Sequence, residues 1–216
     1  MRISASLLLI LLTACQVFSY PAQSNPPSVV DKRAASGEQW TRHNEGEVSL
    51  SIVVPRGWET YNTSVGIVLN EYIGGNAPDT PLNGFLIHIF IPHDKHFTLP
   101  DSDDVNMAWF VLNQVVTNPD YIGGALVSEP VAFEWDDYDA AYYLLNNRDQ
   151  TVTMLLALAL PDQNLVVAHV SVPEAQAARI RALLPDLLGT LTVDGHHLNA
   201  AALSALPDPL VFPSSD

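Results

Sequence analysis

Val48, Leu50 and Ile52 alternate with Glu47, Ser49 and Ser51. That period of two predicts a half-buried strand running to Val53-Val54-Pro55, closed by a turn at Pro55-Arg56-Gly57-Trp58. Two more strands are expected at residues 66–73 and 85–91. The second is almost continuously apolar and β-branched, as a strand covered on both faces must be. Between them, Gly74-Gly75-Asn76-Ala77-Pro78-Asp79 is turn chemistry.

Over residues 103–117 the period changes. Val105, Ala108, Trp109, Leu112, Val115 and Val116 share one face of a helix with a 3.6-residue repeat, so Trp109 is expected in the core. Ser102 or Asp101 is placed to cap this helix, Asp103 and Asp104 suit its positive end, and Asn118-Pro119 stops it. Four strands are expected next, at residues 130–135, 138–146, 151–160 and 165–172. Their connections, Asp136-Asp137, Asn147-Arg148-Asp149-Gln150 and Pro161-Asp162-Gln163-Asn164, favour tight antiparallel turns. A last helix is expected from Pro173, with Ser171 and Glu174 spaced as a capping box. Its buried face carries Ala177, Ile180, Leu184 and Leu187, and Pro185 should kink or end it. Leu191-Thr192-Val193 then closes the domain. Residues 194–216 read as a loosely docked tail, with helical turns over 200–206.

The N-terminus has a different character. Met1-Arg2 and the apolar run at residues 3–12 form the n- and h-regions of an export signal, too short for the roughly 20 residues that a spanning helix needs. Leu12-Thr13-Ala14-Cys15 resembles the lipobox of bacterial lipoproteins, and Cys15 is the single cysteine of the chain. The expected organisation is a signal peptide at 1–14, a lipidated Cys15 with a flexible tether at 15–38, a globular α+β domain at 39–193 and the tail at 194–216. The tether is rich in Pro, Ser, Gln and Asn and lacks a sustained period, so ordering it would bury too little apolar surface to offset the entropy lost. The expected location is the cell membrane or outer membrane, lipid-anchored, facing the periplasm or exterior.

An opening strand and turn at Val48-Ser49-Leu50-Ser51-Ile52-Val53-Val54-Pro55-Arg56-Gly57-Trp58, the start of the meander at Asp137-Tyr138-Asp139-Ala140-Ala141, and the close at Leu191-Thr192-Val193 together resemble the PsbP/Mog1-like group. That group includes lipoproteins of the DcrB and LpqN kind; Asp137 stands where the group usually has glycine. The resemblance implies an antiparallel sheet of about six to seven strands flanked by helices. It also implies a non-catalytic accessory or protein-binding module, and the motifs that carry it are structural, so no binding residue comes with them.

Composition narrows the chemistry. With 24 acidic against 9 basic side chains and a formal charge of −15, the 216-residue chain has no basic footprint for nucleic acid. Loss of residues 1–14 removes Arg2 and leaves −16, which disfavours lying flat on an anionic bilayer. The expected partners are the membrane, through the N-terminal lipid, and an envelope protein. His88, His93 and His96, with Asp94, are the candidate metal ligands, although their spacing matches no established metal motif and a solvated loop after one strand histidine accounts for them equally. No cofactor is expected. The run Asp101-Ser102-Asp103-Asp104 lacks the glycine and distal glutamate of a calcium loop. Glu134, Asp136, Asp137 and Asp139 around Trp135 and Tyr138 offer a carboxylate pair for acid/base work or a sugar platform, against the plainer reading of a solvated turn. His196-His197 has no partner in the sequence, and neither glycine pair has phosphate-loop spacing. No nucleophile-elbow, zincin or P-loop pattern occurs. The expected class is a non-enzymatic binding module, with an exported small-ligand or metal-binding domain as the alternative.

Overall fold

The structure, a computed structural model, describes residues 39–45, 48–71, 82–92, 104–118, 122–161 and 164–214. The signal, Cys15 and the tether lie outside the described residues, as do the turn at 74–79, His93, Asp94, His96 and the run 101–103.

The domain is α+β, as expected, but its strands divide between two sheets. A four-stranded sheet has the order β1 (Gln39–Glu45), β2 (Val48–Val54), β11 (Thr192–Val193), β12 (His196–His197). An eight-stranded sheet runs β3 (Trp58–Asn62), β4 (Gly66–Glu71), β5 (Leu86–Phe90), β10 (Leu165–Pro173), β9 (Thr151–Ala159), β8 (Tyr138–Asn146), β6 (Leu126–Val127), and β7 (Val131–Trp135) also pairs with β8. Every pairing is antiparallel.

The eight-stranded sheet buries both faces. One face shares a core with β2, with helix α2 (Ala178–Leu187) and with helix α3 (Ala200–Ser204); Leu50, Ile52, Ile89, Trp135, Leu158, Ile180 and Leu203 meet there. Against the other face, Ala108, Val111 and Leu112 of helix α1 (Met107–Val116) pack on Ala141, Tyr143, Ala157 and Val167. Burial on two sides explains why β8, β9 and β10 read as apolar runs, whereas β2 alternates.

Three expectations are corrected. Helix α1 begins at Met107, capped not by Ser102 or Asp101 but by Asn106, whose Oδ1 accepts from Trp109 N at 2.8 Å. The Asn106 Nδ2 also donates to the carbonyls of Phe133 and Ala140. That side chain therefore starts the helix and ties it to the sheet, and Val105 is left outside. Trp109 is only half-buried, its Nε1 donating to the Pro130 carbonyl at 3.1 Å. Ser171 is not a cap: it is buried in β10, while a 3-10 turn at Glu174–Gln176 with no side-chain cap precedes α2. Pro185 lies in the last turn of α2, which ends two residues beyond it at Leu187.

Residues 194–214 do not hang loosely. Val193-Asp194-Gly195-His196 forms a two-residue hairpin turn with positive φ at Asp194 and Gly195, and Leu198 and Leu203 are fully buried. The Nε1 of Trp135 donates to the Asn199 carbonyl at 2.9 Å, and Arg181 donates to the carbonyls of Ser204, Leu206 and Pro207. The segment completes the first core.

Candidate functional site

His88 is the one metal candidate among the described residues. It sits at the centre of β5 on the α1 side of the large sheet, half-buried. Strand register extends a row from it: Tyr61, Val68, His88, His169, Leu155 and Tyr143 are successive cross-strand partners on six adjacent strands. Partners of this kind point to one face with Cβ atoms roughly 5 Å apart. Two imidazoles thus stand side by side within an otherwise apolar row.

Both are held neutral. Burial, with the nearby His169 and His43 rings adding repulsion, lowers His88 from 6.5 to about 4. Burial also lowers His169 to about 4, against an opposing hydrogen bond to its own backbone. The Nε2 of His88 lies 3.3 Å from Thr63 Oγ1, and its ring centroid 4.7 Å from that of Phe90. A polar chain continues from the other ring. Ser171 Oγ is 3.4 Å from His169 Nδ1 and 2.7 Å from Thr153 Oγ1. Asn147 Nδ2 donates to Thr153 and Thr151, and Thr151 Oγ1 donates to Asp149 Oδ1 at 2.6 Å.

A serine, a histidine and an aspartate in one network invite comparison with nucleophilic catalysis. The order is wrong for it. A base must be oriented by the acid and must face the nucleophile, but Asp149 is separated from His169 by Thr151, Asn147, Thr153 and Ser171, and the Ser171 hydroxyl is buried against Thr153. The chain satisfies polar groups that the sheet buries. Among the described residues, no group of three or more His, Cys, Asp or Glu side chains could hold a metal ion.

The carboxylates of the β7–β8 turn are dispersed as well. Asp139 Oδ2 accepts from Met107 N at 2.7 Å, at the start of α1, and Asp136 Oδ2 accepts from Asn199 N, just before α3. Two of the four acids therefore seat helices, while Glu134 and Asp137 face water. Asp136 and Asp137 both have positive φ, the geometry of a two-residue hairpin turn. Gly123 and Gly124, also at positive φ, form a turn.

Among the described residues, one set of side chains with open space beside it lies elsewhere. Val48 at the start of β2, Tyr138 at the start of β8, Leu160-Pro161 after β9, and Val193, Asp194 and His196 of the β11–β12 hairpin line an open cleft of about 430 Å³. Its hairpin wall is pinned to β2: Asp194 Oδ1 accepts from Ser49 N at 2.6 Å, and Asp194 N donates to Ser49 O at 2.8 Å. The Tyr138 and His196 rings meet edge to face, centroids 6.0 Å apart. Val48, Leu160 and Val193 are almost fully buried, so what the cleft exposes is Pro161, two rings and one carboxylate.

His169 leaves no motif in the sequence because it is a single histidine in a mostly apolar run, with its partner His88 81 positions away. The cleft leaves a better trace, since Asp-Gly after a short β-branched run is a hairpin signal.

No family model matches the chain, and no curated protein matches it. Fourteen chains of solved structures match. One is the solution structure of cyanobacterial PsbP (CyanoP) from Synechocystis sp. PCC 6803, at 15% identity over 71% of this chain and 92% of that one, with a TM-score of 0.46.

Proposed function

We propose that the protein is a bacterial lipoprotein, acylated at Cys15 and held to the cell membrane or outer membrane through a tether at residues 16–38. Its α+β domain, of the PsbP/Mog1-like kind, serves as a non-catalytic accessory module that binds an envelope protein. The observation that carries this reading is Leu12-Thr13-Ala14-Cys15, which places the single cysteine directly after a short apolar export segment. An unpaired cysteine in an exported chain calls for a role, and acylation supplies one. Acyl chains contribute about 0.8 kcal/mol per buried methylene, enough in combination for stable attachment. Among the described residues no helix is long and apolar enough to cross a membrane. The dispersal of Asp136 and Asp139 to helix seats, and of Ser171 and Asp149 along a hydroxyl chain, supports binding over catalysis.

Growth with a clickable palmitate analogue tests the anchor. The expected product is a labelled, membrane-bound wild type and an unlabelled Cys15→Ala variant; an unlabelled, soluble wild type contradicts the proposal.

A further inference from the structure

We infer that the open edge of β7 joins two copies of this chain, strand to antiparallel strand, about a two-fold axis at Phe133. The pairing uses the chain's own backbone and stands apart from the accessory role proposed above.

The outer strands of the two sheets differ. β1 carries Arg42 and Glu45, β12 is two residues long, and β3 meets β1 where Asn62 Nδ2 donates to the Arg42 carbonyl. The edge made by β6 and β7 has no such protection. Among the described residues nothing pairs with its outer side, Leu126 and Val131 are 41% and 44% exposed, and Ala132 and Glu134 are exposed. Such an edge is a template for another strand. The two-residue turn at Asp136-Asp137 makes Trp135 and Tyr138 a hydrogen-bonded pair, so Phe133 and Val131 also bond to β8, while Ala132 and Glu134 turn their N–H and C=O outward. In a second copy, outward residues must face outward residues. Ala132 opposite Ala132 sets Glu134 against Pro130, which has no N–H, and Glu134 opposite Glu134 sets like charges face to face. Ala132 opposite Glu134 has neither fault. Each Ala132 then exchanges both backbone bonds with the opposite Glu134, Phe133 lies beside Phe133, and both exposed valines at 131 are covered. The same residues supply both sides, as a two-fold dimer requires. One strand pair is small against the roughly 1,200 Å² of a stable interface, and each chain carries a formal −15. The association is therefore reversible, and salt strengthens it by screening the repulsion.

The test uses the full chain in detergent. Sedimentation at rising protein concentration should show a monomer–dimer equilibrium that added salt shifts toward the dimer. Ala132→Pro removes an N–H that faces away from β8, a place where edge strands accept proline. It should keep the wild-type circular dichroism and associate about 25-fold more weakly, roughly fivefold for the bond lost at each end. Cysteines fix the register. Ala132→Cys mixed with Glu134→Cys sets the two Cα atoms about 5.5 Å apart across the axis, within disulfide reach. Oxidation of the mixture should give a crosslinked dimer well above that of Ala132→Cys alone and of wild type, whose Cys15 supplies the background. A wild type that stays monomeric at millimolar concentration and high salt, a folded proline variant that associates as wild type does, or equal crosslinking of the mixture and of Ala132→Cys alone overturns the pairing. Should the proline variant not fold, the cysteine pair decides by itself. Loss of the dimer with partner capture intact in cells removes this pairing and leaves the accessory role standing.

Discussion

Acid should loosen this domain through two histidines. In the folded chain His88 and His169 are each lowered from 6.5 to about 4, so between those values the unfolded chain binds protons that the folded one refuses. Stability is then complete above about pH 6.5 and falls as the pH drops toward 4, below which both states are protonated and the loss levels off. A lowering from 6.5 to about 4 corresponds to about 3 kcal/mol per residue at 1.36 kcal/mol per pH unit. Both rings are half-buried, and solvent access reduces this to about 1–2 kcal/mol each. The summed loss of about 2–4 kcal/mol is a large share of the 5–15 kcal/mol typical of a domain.

The assay is urea unfolding by tryptophan fluorescence and circular dichroism at intervals from pH 7.5 to 4, on wild type and on His88→Gln with His169→Asn. Gln places an amide near the Nε2 position that faces Thr63, and Asn one near the Nδ1 position that faces Ser171, so both contacts are retained without a titrating group. Carboxylates titrate in both proteins and cancel in the difference. The wild type should lose about 2–4 kcal/mol more than the variant across the window; equal losses would refute the neutral pair.

Two further outcomes follow from the packing. Leu203→Ala, in a helix expected from sequence to lie in a loose tail, should cost about 2–5 kcal/mol in urea unfolding, because Leu203 is fully buried in the first core; a cost under about 0.5 kcal/mol, the range for surface positions, would mean that the segment is dispensable. Asn106→Ala removes the acceptor for Trp109 N and the donor to Phe133 and Ala140, and should cost about 1–2 kcal/mol. Asn106→Asp keeps the acceptor for Trp109 N but sets a carboxylate oxygen against the Phe133 and Ala140 carbonyls, so it should cost at least as much as Ala.

Most strands could be read from the chain because their cause is local. The meander was legible to within a residue or two from apolar runs broken by Asp-Asp, Asn-Arg-Asp-Gln and Pro-Asp turns, and β2 from strict alternation. Failures came where a distant partner decides. The apolar period of α1 extends back to Val105, but Asn106 can reach both the helix and the β7–β8 carbonyls, so the helix starts after it. Ser171 and Glu174 have capping-box spacing, yet β10 continues through Ser171 because Thr153 and His169 lie across from it and beside it. The division into two sheets, the row that brings His88 to His169, and the cleft formed by four separated segments are likewise products of pairing. The Asp194-Gly195 turn is the exception, a local hairpin signal inside a segment read from sequence as a loose tail.

The most direct test of the central claim is photocrosslinking in living cells, with the crosslinker at position 197 at the hairpin end, followed by identification of what is attached. The account predicts that a defined envelope protein is captured by wild type and that capture is lost or strongly reduced in the unanchored Cys15→Ala variant. Recovery of the chain with no attached protein, together with a co-purifying small metabolite, would contradict it.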